Sequence, residues 1–146
     1  MRQPLQGDRP GLLDLAQRWP AGSYVLLQDE DGFYVLDDNK LDDPNWCVLV
    51  AIDDSAGGVV GYLVGQNRAS LLPMPIPAGQ TAELEEIGVL TEHQRKGIGT
   101  LLVRKFEEWA RRKCFTAVYL GGGAAPGFYE KLGYRRVGYC YFVKTL

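Results

Sequence analysis

Residues 89–100 read Val89-Leu-Thr-Glu-His-Gln-Arg-Lys-Gly-Ile-Gly-Thr100. An apolar strand ends here, a short polar loop follows, and a helix begins within a run holding Gly97 and Gly99. The first turn of a helix leaves backbone N–H groups unpaired, and the helix dipole adds partial positive charge. Together these make a site for an anion. Glycine lets the backbone approach a phosphate with no Cβ in the way. Gln94, Arg95 and Lys96 add donors and positive charge, and no acid lies between Gln94 and Lys105 to cap the helix from within. Two other phosphate motifs fit poorly. A Walker loop needs GK[ST], but Gly97 is followed by Ile98 and Gly99. A dinucleotide fingerprint needs a third glycine where Leu102 stands.

The elements on either side set the architecture. Upstream, Glu83–Leu90 is a strand. Downstream, Ile98, Leu101, Leu102, Phe106, Trp109 and Ala110 recur at helical spacing over 97–113, with Glu107/Arg111 and Glu108/Arg112 expected as outer-face pairs. Phe115–Leu120 is the next strand, which makes a strand–helix–strand crossover. Before it, Cys47–Ile52 and Val59–Val64 flank the turn DDSAGG as a hairpin. After it come a Gly-rich turn, a short helix over 125–132 ended by Gly133, and strand over 134–146 broken near Gly138. The expectation is an α/β fold: a mixed sheet with helices on its faces. Towards the N-terminus, Asp8 and Pro10 open a helix that Pro20 stops. Residues 23–46 read either as a hairpin around Asp31-Gly32 or, over 34–42, as a short helix. Residues 67–80, with three prolines, read as a loop.

Composition narrows the function. A chain of 146 residues is expected to be one domain, 1–146. A formal charge of −2 does not call for nucleic acid or a membrane surface. No apolar run reaches the ~18 residues of a membrane span, and the N-terminus MRQPLQGDRP lacks a signal-peptide core. Cys47, Cys114 and Cys140 are odd in number and widely spaced, which argues for a reducing, cytoplasmic compartment. With His93 as the one histidine, no metal site is expected.

The glycine loop resembles the acetyl-CoA signature of the GNAT acetyltransferase superfamily, Q/R-x-x-G-x-G/A, with Gln94, Gly97 and Gly99 in those places. Ala124-Ala-Pro-Gly-Phe-Tyr-Glu-Lys-Leu-Gly-Tyr134 resembles the second motif of the same family, A-x-x-F-Y-E-K-x-G-F/Y. Ala125, Phe128, Tyr129, Glu130, Lys131, Gly133 and Tyr134 match in order. The likeness extends over residues 47–140 and is tightest over 83–134. It implies a mixed, mostly antiparallel sheet with helices on both faces, splayed between strands 83–90 and 115–120. It also implies acetyl-CoA as cosubstrate, without a metal. The backbone of Arg95, Lys96, Gly97, Ile98, Gly99 and Thr100 then holds the coenzyme diphosphate, and Ile87, Gly88 and Val89 pair with the pantetheine arm. Gly122, Ala125 and Phe128 complete the coenzyme site. The family often carries Asn at the position of Gly122, so a side-chain contact is lost there.

Acetyl transfer to an amine requires a base for the ammonium and a proton for the leaving thiolate. In the family a carboxylate on the strand before the loop often serves as base. Glu85 is the first choice here and Glu83 the second. Alternation puts these two on one face with Ile87 and Val89, barring a bulge, and Glu86 on the other as a solvated residue. Two neighbouring carboxylates repel, which raises one pKa. Tyr129 matches the family's tyrosine that protonates the coenzyme sulfur. Cys114 and Cys140 are expected in the core, as are Trp19, Trp46 and Trp109, and His93 in an exposed loop, with contact to the adenosine phosphate as its alternative. The implied activity is transfer of acetyl from acetyl-CoA to a primary amine by direct attack in a ternary complex. The acceptor is left open among small-molecule and protein amines. The acidic stretch 29–43 is a candidate rim for a cationic acceptor, and loop 67–80 a candidate opposite wall or homodimer contact. The alternative is a module of the same fold that binds or senses acyl-CoA without turnover.

Overall fold

The computed structural model describes residues 43–56, 58–68, 80–121, 125–137 and 141–146. The expected helix over 8–20, both readings of 23–46 short of its end, most of loop 67–80, Gly122 and Cys140 lie outside the described residues. The elements are β1 (Trp46–Asp53), β2 (Gly58–Asn67), β3 (Thr81–Val89), α1 (Ile98–Arg112), β4 (Ala117–Gly121), α2 (Pro126–Lys131), β5 (Arg135–Val137) and β6 (Tyr141–Thr145). The six strands form one sheet in the order β1-β2-β3-β4-β6-β5. Every neighbouring pair is antiparallel except β3 with β4. This is the mixed, mostly antiparallel sheet the sequence implied.

The parallel pair is short. Thr81, Ala82 and Glu83 face Ala117, Val118 and Tyr119, and there the pairing stops. Beyond Glu83 the register of β3 against β2 slips: Gly65 faces Leu84 but Val64 faces Glu86, leaving Glu85 as the extra residue of a bulge. A bulge bends its strand and sharpens its twist. It falls two residues past the last contact with β4, where the two strands part.

Helix α1 forms because Leu102, Val103, Phe106, Trp109 and Ala110 gather on one stripe, and all are buried. Leu101, expected in that stripe, instead lies outside it and is 55% exposed. The stripe seats on β2 at two glycines. A Cβ on Gly65 would run into the Phe106 ring, and one on Gly61 would stand 3.4 Å from Ile98. The helix ends in a turn in which Phe115 N–H donates to Ala110 C=O at 3.0 Å and Cys114 N–H to Arg111 C=O at 2.9 Å. That turn puts Cys114 at φ 61, a left-handed position that usually holds glycine. Cys114 is therefore exposed rather than in the core, whereas Cys47 is buried, and burial pushes its thiol up to about 12.

The outer-face pair expected of Glu107 and Arg111 is not formed. Glu107 is fully buried, and Lys144 of β6 reaches it at 2.7 Å, with Arg104 at 3.0 Å. Lys105 pairs Glu108 on the exposed side at 3.2 Å. Helical spacing alone put Glu107 outside because it could not show that β6 lies beside β4 and delivers a lysine there.

Gly65→Ala tests the seating of α1. Its methyl would meet Phe106 and come within 2.8 Å of the Glu83 carbonyl oxygen. Overpacking of this kind is expected to lower unfolding free energy by about 1–3 kcal/mol, measured by urea denaturation.

Candidate active site

Where β3 and β4 part, a cleft of about 650 Å³ opens. One wall is the end of β3, through Ile87 and Val89. A second is the loop and first turn of α1, through Gln94, Arg95, Gly97, Gly99 and Thr100. The third is Gly121 of β4 with Ala125, Phe128 and Tyr129 of α2. Leu90 N–H donates to Val60 C=O at 2.9 Å. Peptide direction alternates along a strand, so Gly88 also turns its backbone groups to β2. Ile87 and Val89 turn theirs the other way, into the gap that β4 has left.

The loop is shaped by backbone conformation. Arg95 has φ 62 and Gly97 φ 84. Gly97 is the N-cap of α1, with no side-chain cap bond, and the first turn holds no acid. A Cβ on Gly97 would meet nothing, so its glycine answers to the left-handed conformation. Gly99 answers to space, since its Cβ would lie 3.3 Å from the Phe128 ring. Among the described residues, the backbone N–H groups of 95–100 donate to no protein acceptor. Gln94 does not spend its amide on the cleft alone: Nε2 donates to the Val89 carbonyl at 3.0 Å, pinning the loop to the strand.

Of the residues expected to hold coenzyme, Ile87, Val89, Gln94, Arg95, Gly97, Gly99, Thr100, Ala125 and Phe128 line this one cleft. Gly88 is buried against Tyr62, Ile98 packs on the core, and Lys96 does not line it. Two further residues line the cleft. Gly121 is placed by the end of β4. His93, expected in an exposed loop, keeps only 12% of its side chain exposed, with Nδ1 3.8 Å from the Asp53 carboxylate.

Tyr129 lines the cleft while its ring stays in the core, 7% exposed and edge-on to Phe128 and Tyr134. Burial pushes its hydroxyl up to about 12. That hydroxyl meets no hydrogen-bonding partner among the described residues. Below its turn, Lys144 Nζ donates to Leu132 C=O at 2.8 Å as well as to Glu107. One part-buried lysine of β6 thus ties the end of α2 to α1.

The carboxylates of β3 lie elsewhere. Gly61 and Gly65 face α1, so Tyr62, Val64 and Gln66 lie on the reverse face of β2. Tyr62 donates to Glu86, and Gln66 to Glu85. Tyr119 donates to Glu83 at 3.0 Å. The Arg68 guanidinium stands 3.6 Å from both Glu83 and Glu85. All three glutamates therefore share the reverse face, and Glu86 is a partly buried member rather than a solvated residue on the other side. The bulge at Glu85 has reset the alternation, which also sends Ile87 to the α1 side, opposite Leu63. Burial, followed by the charge of Glu83, pushes the Tyr119 hydroxyl well above its ordinary value. Among the described residues no group of His, Cys, Asp and Glu could hold a metal, and no helix is long and apolar enough to cross a membrane.

The chain belongs to the acetyltransferase (GNAT) family, whose model matches residues 12–134. It is 38% identical over 73 residues to the uncharacterized protein YyaT of Bacillus subtilis (strain 168), a match covering 49% of this chain and 45% of that protein. The chain spans less than half the length of the curated relatives it matches. Its fold is similar to that of an aminoglycoside 6'-N-acetyltransferase from Acinetobacter haemolyticus, with a TM-score of 0.74 at 19% identity over 94% of this chain and 92% of that one. It is also similar to the PaiA N-acetyltransferase from Thermoplasma acidophilum in complex with coenzyme A, with a TM-score of 0.70 at 18% identity over 99% and 97% of the two chains.

The lysine tie can be tested on its own. Lys144→Met leaves Glu107 buried with Arg104 as its remaining basic partner. Removing one member of a buried pair is expected to cost about 3 kcal/mol, read as a fall in the urea midpoint.

Proposed function

We propose that the protein is an acetyl-CoA-dependent N-acetyltransferase that acetylates a primary amine by direct attack within a ternary complex. The observation that carries this reading is that the backbone N–H groups of 95–100 meet no acceptor among the described residues, beside a cleft that Arg95, Gly97, Gly99 and Thr100 line where β3 and β4 part. Such a helix start suits a diphosphate. The outward peptide groups of Ile87 and Val89 suit the amides of a pantetheine arm. Acetyl-CoA supplies the activated acetyl group; everything else is done by this chain.

The two faces of β3 divide the remaining work. The coenzyme enters on the α1 side. The amine approaches from the reverse side, where Glu85 and Glu83 stand, and meets the acetyl group in the gap. Glu85 is assigned as the base that takes the ammonium proton, directly or through water, with Glu83 the second choice. The Arg68 guanidinium lies 3.6 Å from both carboxylates. Gln66 and Tyr119 orient the two carboxylates. Tyr129 is assigned as proton donor to the leaving thiolate. With its hydroxyl pushed up to about 12, it stays protonated across the working range and imposes no alkaline fall in rate of its own below about pH 11.

A thiol-release assay with acetyl-CoA against a panel of primary amines tests the whole reading. Release that depends on an amine supports it. A coenzyme-induced rise in melting temperature with no turnover on any amine would instead identify an acyl-CoA-binding module, and no rise at millimolar coenzyme would remove the site. Tyr129→Phe is expected to lower kcat about 100-fold with coenzyme affinity within about twofold; full activity would take Tyr129 out of the mechanism. Glu85→Gln is expected to slow kcat/KM most at low pH, where the amine is hardest to deprotonate. If Glu83→Gln has that effect and Glu85→Gln does not, the base is Glu83.

A further inference from the structure

We propose that Lys144 is a positioning residue for acetyl transfer: by holding the C-terminal end of α2, it keeps the Tyr129 hydroxyl aimed into the cleft. This rests on the assignment of Tyr129 as proton donor and extends it to the residue that gives the donor its place.

The need for such a residue comes from α2 itself. The helix has six residues, Pro126–Lys131, with Gly127 inside it and no side-chain cap at Ala125. A helix that short does not hold itself in water. Tyr129 lines the cleft, and its hydroxyl meets no hydrogen-bonding partner among the described residues. The aim of the hydroxyl is therefore set by its ring and by the backbone that carries the ring. A misplacement of about 1 Å can cost ~100-fold in rate.

Contacts at both ends bracket α2. Near its start Phe128 seats on α1, with its ring 3.3 Å from where a Cβ on Gly99 would stand. At its end is Lys144. Nζ donates to Leu132 C=O, the C-cap of the helix, at 2.8 Å and to the Glu107 carboxylate at 2.7 Å. The same turn holds Tyr129: Leu132 N–H donates to Tyr129 C=O at 3.0 Å, and Tyr134 N–H donates to it at 3.1 Å. Gly133 has φ 93, and a Cβ there would come within 3.4 Å of the lysine stem. Nζ also stands 5.6 Å from the centre of the Tyr134 ring, which packs edge-on to Tyr129.

Lys144 therefore touches both the peptide and the ring that fix Tyr129 in its turn. Its anchor, Glu107, is fully buried in α1, whose first turn forms another wall of the cleft. A lysine suits the place because an ammonium donates in several directions and accepts nowhere. One group can meet a carboxylate and a carbonyl together. Phe128 has its own seat on Gly99, so release of the far end of α2 loosens Tyr129 more than it loosens Phe128.

Stability and positioning can be separated. Lys144→Met alone strands the Glu107 charge and costs stability as well as aim. Lys144→Met/Glu107→Leu removes the buried pair whole, which is close to neutral for stability, and turns the half-exposed Arg104 to water. Leu132 is left untied in both.

The double variant is compared with wild type by urea denaturation, by amide hydrogen exchange and calorimetry with coenzyme A, and by thiol release on the best amine of the panel. Exchange is measured on the protein without coenzyme. The urea midpoint is expected to stay near that of wild type. The amides of Leu132 and Tyr134 are expected to exchange about tenfold faster, while those of α1 and β4 keep their rates. Kd for coenzyme A is expected to change less than about twofold and kcat to fall about tenfold. In a Tyr129→Phe background the same pair is expected to change kcat less than about twofold, because the group it aims is already gone. Lys144→Met alone is expected to show the same kcat loss and the same dependence on Tyr129, so either variant carries the test. Unchanged exchange and kcat in the double variant would overturn the proposal and leave Tyr129 as donor. An equal fall in kcat with and without the Tyr129 hydroxyl would also overturn it, making Lys144 a structural residue only. Full activity of Tyr129→Phe, or no turnover on any amine, would overturn both this proposal and the assignment beneath it.

Discussion

The structure turns on the place where β3 leaves β4. Three residue pairs hold the two parallel strands together, from Thr81/Ala117 to Glu83/Tyr119. The bulge at Glu85 then bends β3 away. A sheet interrupted in this way turns backbone groups away from any strand, and unpaired peptide groups are costly where water is excluded; the Val89 carbonyl is met by Gln94 instead. The fold thus creates a slot shaped for something that can replace a strand. The loop after β3 ends in the uncapped start of α1 at the mouth of that slot. The proposed coenzyme has a part for each place: amides along its arm for the slot and phosphates for the helix start.

The same bulge sorts the chemistry of β3 between two sides. Residues beyond it, Ile87 and Val89, look into the cleft. The acids before and within it look to the reverse face, where each carboxylate has a hydrogen-bonding partner on a neighbouring strand. A regular strand could not place Glu85 and Glu86 on one side. Irregular backbone here gives three acids a common face and keeps them away from the start of α1, where negative charge would oppose the proposed diphosphate.

Much of this was legible in the sequence. The glycine spacing of Gly97 and Gly99, the hydrophobic period of 102–110 and the Phe128-Tyr129 pair marked the elements around the cleft, because each follows from local rules of conformation and packing. What was not legible depended on register and on neighbours distant in the chain. The reading of Glu86 failed because alternation assumes an unbroken ladder. Glu107 was taken for a surface residue because its partner, Lys144, arrives from a strand 37 residues on that inserts beside β4. His93 is less exposed than expected because Asp53 lies forty positions earlier, brought close by the β1–β2 and β2–β3 pairings. Cys114 went to the core on residue type, whereas the left-handed turn ending α1 put it outside.

The missing side chain at Gly65 has a mechanical side. Phe106 drops into the space it leaves, about eight residues, or ~12 Å, from the N-terminal end of α1, and Ile98 at that end sits over Gly61. Two bare positions on one strand thus set both the height and the direction of the helix. The spacing between Gly97 and β3 is fixed by what β2 lacks rather than by any bond across the cleft.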